Sequence, residues 1–152
     1  MRFDYLLLTG TLFIIGSCGQ ADKLNSDSEL VTKMQKEVTS GQASLDLGKL
    51  TDFEWDSLLI LTPYSNTNDI EGQFNIDLSL TKHSGIEHRD DISQLIFFSH
   101  GTPTKMVEYP RYPGDFVDDK IKFILRDSAV FDILVTEKKT VSDDNWIRLT
   151  KR

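Results

Sequence analysis

An α+β fold, mainly an antiparallel sheet of about six strands with an N-terminal helix and one short helix packed on one face, is what the sequence predicts. Three observations predict it. Apolar residues recur at sustained helical spacing near residue 30. From Leu45 onward they recur instead as short alternating or continuous runs, the pattern of half-buried and buried strands. Turn formers separate several of those runs so closely that hairpins, and hence antiparallel pairing, are expected.

The elements follow in chain order. Ser26-Asp27-Ser28-Glu29 has the S-x-x-E spacing of a capping box, in which a hydroxyl and a carboxylate each satisfy a free backbone amide. Leu30, Val31, Met34 and Val38 then share one helical face and Gly41 ends it, so an amphipathic helix is expected from about 27 to 39. Leu45 and Leu47, then Phe53 and Trp55, alternate with polar neighbours, and Leu58 to Leu61 is a continuous apolar run suited to a buried central strand. Pro63-Tyr64 stops that run. Ser65 to Asn68 offers capping side chains for a short helix carrying Ile70 and Phe74 on one face.

Ile76, Leu78 and Leu80 alternate with polar residues and predict a half-buried strand. Ile92 to Ser99 and Lys105 to Tyr109 flank the turn-rich HGTPT and read as a hairpin. Lys120 to Arg126 and Ala129 to Thr136 flank a second turn at Asp127-Ser128, and Trp146 to Thr150 supplies a last strand.

The N-terminus is a different matter. Tyr5 to Ile15 is an uncharged, mostly apolar run, shorter than the roughly 20 residues that span a bilayer. Arg2 before it and small residues after it give the order of a secretory signal peptide. Ile15-Gly16-Ser17-Cys18 resembles the bacterial lipobox: an aliphatic residue, two small ones and an acceptor cysteine. The resemblance implies a signal peptide over 1–17, a diacylglycerol thioether on Cys18 and an acyl group on the new amine. An ordinary signal peptide cut near Gly16 or Ser17 is the alternative, and it leaves a free thiol. Residues 18–27 are then a lipidated cysteine and flexible tether, and 28–152 a single α+β domain. Attachment through two or more acyl chains is stable where one alone is marginal. Gly19 in place of an aspartate points to the outer membrane, if the host has one. With one cysteine in the chain no intramolecular disulfide forms, so burial must stabilise the domain.

The formal net charge of −7 argues against nucleic acid, whose binding depends on neutralising phosphates, and against adhesion to anionic headgroups. Partners are therefore the membrane through the lipid and an unknown protein or small ligand. No cofactor is implied. His83, His88 and His100 lack the i, i+4 helical spacing of a paired metal site, so no metal is expected. There is no G-x-S-x-G elbow, P-loop or dinucleotide glycine pattern.

The most unusual stretch is Glu108-Tyr109-Pro110-Arg111-Tyr112-Pro113-Gly114-Asp115-Phe116. Its prolines and glycine preset the backbone, its tyrosines offer aromatic faces, and Arg111 suits bidentate recognition of a carboxylate or phosphate. The alternative is that Arg111 pairs internally with Glu108, Asp115 or Asp56. Candidate binding residues are Trp55, Tyr64, Tyr109, Arg111, Tyr112 and Asp115, with no catalytic set. Phe53-x-Trp55-Asp56, Pro63-Tyr64-Ser65, LIFF, Glu108-Tyr109-Pro110-Arg111 and Gly114-Asp115-Phe116 together resemble a pattern in small uncharacterised bacterial lipoproteins and secreted proteins, over residues 53 to 135. That resemblance implies a small domain with these loops facing one another and carries no known activity. A non-catalytic binding or accessory module of the cell envelope is expected. The alternatives are a small envelope hydrolase using Asp115 or Glu108 with His100, or an inhibitor or immunity-type protein against a basic partner.

Overall fold

The Asp27 carboxylate accepts the Leu30 backbone N–H at 3.0 Å and starts α1 (Ser28–Thr39), so Asp27 rather than Ser26 is the N-cap. Ser26 does something else. Its hydroxyl accepts the Glu108 backbone N–H, and its backbone bridges Met106 in parallel. The Leu24 N–H reaches the Leu80 carbonyl, so the part of the expected tether from Leu24 to Asp27 is docked on the folded chain. The structure is a computed structural model that describes residues 23–117, 123–139 and 145–152. The leader 1–17, Cys18 and the first residues of the expected 120–126 strand lie outside the described residues.

The fold class is α+β, built on two four-stranded sheets instead of one sheet of about six strands. In the first, β4 (Thr102–Pro110), β3 (Ile92–Ser99), β2 (Ser57–Leu61) and β6 (Phe123–Leu125) lie side by side in that order, all antiparallel. In the second the order is β1 (Ser44–Asp46), β7 (Val130–Lys139), β8 (Asn145–Lys151) and β5 (Gly114–Phe116). β5 runs parallel to β8; the other pairings are antiparallel. The strands on either side of Asp127-Ser128 were expected to share a sheet. They do not, because β6 joins β2 while β7 joins β1 and β8.

Strand alternation explains how the layers meet. On one face of the first sheet, Leu58, Leu95, Phe97, Val107, Tyr109 and Ile124 pack with Leu45, Phe116, Phe131 and Leu149 of the second, and α1 adds Leu30, Met34 and Val38. On the opposite face Leu59, Leu61, Ile92, Ile96 and Phe98 pack with Ile70 of α3 (Thr67–Phe74) and with Leu78 and Ile86. The two helices thus cover opposite faces of the first sheet, a correction to the expectation that both pack on one. β3 lies between them and buries seven consecutive residues, as the apolar run LIFF requires.

Two local readings change for the same physical reason. The expected strand at 76–80 is irregular, because side chains satisfy its amides in place of a ladder: Glu71 accepts the Leu78 N–H and Asp77 accepts the Ser79 N–H. Leu47 leaves the strand alternation because the Asp46 carboxylate accepts the Lys49 N–H and starts the single turn α2 (Leu47–Leu50).

Candidate functional site

At Pro110 the chain leaves the first sheet, and by Gly114 it has entered the second. Arg111 to Pro113 is the corner between them. It contains a cis Tyr112–Pro113 bond, and the Arg111 N–H is held by the Asp91 carbonyl. Gly114 then faces α1 so closely that a Cβ would lie 2.8 Å from Val38 Cγ1. Phe116 points the same way, stacking edge-on against Tyr109 and Phe131 at 5.5 and 5.0 Å. Asp115, between them, must point to the outer face of the second sheet.

There Arg111 meets it. Arg111 Nε and Nη2 donate to the two Asp115 oxygens at 3.0 and 2.7 Å, and Nη1 donates to the Asp90 carbonyl at 3.1 Å. The hydrogen-bonded Asp115 carboxylate raises the Arg111 guanidinium above its ordinary value, with smaller Coulombic support from Asp115 itself, Asp90 and Tyr64, against the opposing cost of burial. The arginine also lies 5.8 Å from the centre of the Trp146 ring, within cation–π range. Arg111, Asp115, Val117, Thr136, Trp146 and Arg148 line an open cavity of about 590 Å³, the size range of small-molecule sites. The Thr136 hydroxyl donates to the Trp146 carbonyl at 2.9 Å and ties β7 to β8 at its wall.

The structure divides the sequence candidates. Arg111 and Asp115 come together, and Tyr112 is 47 % exposed in the same corner. Tyr64, 63 % exposed, holds a left-handed backbone (φ +63°) unusual for a bulky residue, stabilised by its N–H bond to the Ile86 carbonyl. Trp55 and Tyr109 do not reach the surface. Trp55 packs against Phe97 and donates its indole N–H to Thr51 Oγ1 at 2.8 Å, and the five residues of β2 set it about 16 Å from Tyr64 at roughly 3.3 Å per residue. Tyr109 is fully buried, and burial pushes its phenol up. The FxWD and PYS motifs therefore sit at opposite ends of β2, and only the second faces the arginine corner.

Trp146, Arg148, Thr136 and Asp90 were missed. A signal existed in part: Trp146 and Arg148 alternate with Ile147 and Leu149, which places an indole and a guanidinium on one outward face. Their nearness to Asp115 comes from the parallel β5–β8 pairing, which has no local signature.

Glu108 and His100, one catalytic pairing considered above, are not assembled. Glu108 accepts from Arg89 at 2.8 Å, and the six-residue step along β4 from Thr102 to Glu108 spans about 20 Å at roughly 3.3 Å per residue. His100 belongs to the hairpin turn, where its backbone N–H donates to Asp56 at 2.6 Å and its Nδ1 lies 3.0 Å from Ser99 Oγ. Ser57 also donates to Asp56, so this carboxylate staples the turn. Among the described residues no three His, Cys, Asp or Glu side chains gather as a metal site. Nor is any helix among them long and apolar enough to cross a membrane. Compared with family models, curated proteins and solved structures, the chain gives no match.

Proposed function

We propose that this chain is a lipid-anchored cell-envelope protein that captures a ligand or partner at the corner between its two sheets, as a binding or accessory module. The observation that carries the reading is the open cavity of about 590 Å³ beside Arg111, with Trp146 in its wall and the exposed Tyr64 and Tyr112 belonging to the same end of the first sheet. Aromatic and arginine side chains around a concavity are the groups that dominate binding energy. The anchoring half rests on the leader and on Cys18.

The docking of Leu24 to Asp27 adds a geometric consequence. Few residues remain between Cys18 and the docked segment, so the domain rides close to the bilayer. The chain arrives beside Met106, whereas the cavity lies beyond Pro110, at the far end of α1. The docked segment and the cavity are thus at opposite ends of that helix, which is about 18 Å long at 1.5 Å per residue.

A photo-crosslinking residue at position 64 of the full chain, expressed in its host, tests the reading. A crosslinked species that disappears on Arg148→Gln is expected, together with incorporation of labelled fatty acid that Cys18→Ser abolishes. Crosslinking indifferent to Arg148→Gln overturns the binding half, and absence of label overturns the anchored half. Arg111 is not the residue to mutate, because its loss strands Asp115.

A further inference from the structure

Arg148 on β8 lies opposite Asp115 on β5 in the parallel ladder and opposite Leu134 on β7. Its natural partner is already spent. Both Asp115 oxygens are taken by Arg111, which reaches them from the interconnecting corner. Among the described arginines, Arg89, Arg111, Arg126 and Arg152 each donate to a carboxylate or carbonyl oxygen, and Arg148 has no such acceptor among the described residues. The cavity wall thus holds two guanidiniums and one described carboxylate, which pairs with Arg111, leaving a surplus positive charge among the described residues in a chain of formal charge −7.

The donor count sharpens this. A guanidinium carries five N–H groups. Arg111 commits Nε, one N–H of Nη2 and one of Nη1, so two remain, and all five of Arg148 remain. The Thr136 hydroxyl proton is committed to the Trp146 carbonyl. The described charged groups of the cavity therefore offer mostly donors, and both oxygens of the one described carboxylate are already paired with Arg111. A purely cationic head meets a guanidinium with no charged partner among the described residues, and the one described carboxylate there is already neutralised by Arg111. An oxyanion meets a planar fork matched to its geometry. Trp146 supplies a flat apolar wall beside that fork.

We propose that the cavity binds a small ligand whose terminal oxyanion, a carboxylate or a phosphate, is gripped by Arg148 while its planar or apolar body lies along Trp146. The inference rests on the reading of this corner as a binding site and names what the site takes.

Tryptophan fluorescence of the full chain in mild detergent, at about 0.15 M salt, tests it. Trp55 is buried, so Trp146 is the responsive indole, and Trp146→Phe is the control for signal origin. The probes are benzoate, phenyl phosphate, the neutral benzamide and the cationic benzylamine. Saturable quenching by the anions is expected, about tenfold tighter than by benzamide, with none by benzylamine. Arg148→Gln should weaken the anions by about tenfold and leave benzamide unchanged. The stronger of benzoate and phenyl phosphate identifies which oxyanion the site prefers. Equal binding of neutral and anionic probes, or anion binding untouched by Arg148→Gln, overturns the oxyanion assignment while the corner remains a binding site. No response to any probe, in protein whose circular dichroism is native, overturns both.

Discussion

Asp115 shows what a single residue costs and returns at this corner. Its side chain is 8 % exposed and Arg111 is its one charged partner among the described residues, so Arg111→Ala buries a carboxylate that has no other described cation. Breaking a fully buried pair costs about 3–5 kcal/mol. Arg111 is 34 % exposed, and water discounts the figure, so a loss of about 2 kcal/mol is expected from urea denaturation. Adding Asp115→Asn should restore part of it, because the stranded charge is gone. Tyr109 presents the opposite case. Among the described residues its buried hydroxyl has no hydrogen-bond partner, as is true of Ser93 Oγ and Gln94 Oε1, so Tyr109→Phe should leave the denaturation midpoint unchanged or raise stability by up to about 1 kcal/mol. The residue chemistry of the corner was readable in advance, including the possibility that Arg111 pairs with Asp115. That Tyr109 and Trp55 turn inward was not, since an aromatic residue next to a proline or an aspartate reads alike whether its strand faces a core or solvent.

At the scale of elements, α1 is fixed at both ends by contacts that differ in legibility. Asp27 caps it and also pairs with Lys105 at 2.9 Å, fastening the helix to β4. Asp27→Ala should therefore cost about 1 kcal/mol for the cap, more if the Lys105 contact contributes, read as a fall in melting temperature. The sequence displayed that helix through its spacing, and placed its N-cap one residue early because Ser26 and Asp27 are both capping residues and tertiary contact with Glu108 claimed the first. At its other end Val38 meets Gly114 with no room for a methyl group. Gly114→Ala should destabilise by about 1–3 kcal/mol, and Val38→Ala in the same chain should recover part of the loss. Nothing local in YPGDF announces this contact, since a Pro-Gly pair explains itself as a turn.

Over the whole molecule, carboxylates held by amides and cations set the response to acid. Asp27 is held below its ordinary range chiefly by the Leu30 N–H, Glu71 by Lys82, Glu87 by Thr67 and Asp91 by Arg89. A carboxylate depressed in the folded state contributes stability that is complete above its unfolded value and is lost as pH falls through its folded one. Stability should thus hold at neutral pH and fall progressively below about pH 4, the ordinary carboxylate value, as urea midpoints collected down a pH series would show. A midpoint that rises on acidification would refute the assignment of these contacts. The −7 charge was evident from composition, but the concentration of unspent guanidinium donors in one cavity was not. By itself the sequence determined the α+β class, α1, α3, and the strands β2, β3 and β4, all of which depend on neighbours in the chain, and it carries the leader from which export and lipidation are proposed. The tertiary structure alone decided the division into two sheets, the placing of the helices on opposite faces and the meeting of Asp115, Trp146 and Arg148. Strand periodicity tells which face a residue occupies. Which strand lies beside it depends on long-range packing around Phe97, Phe116 and Phe131, which no local pattern encodes.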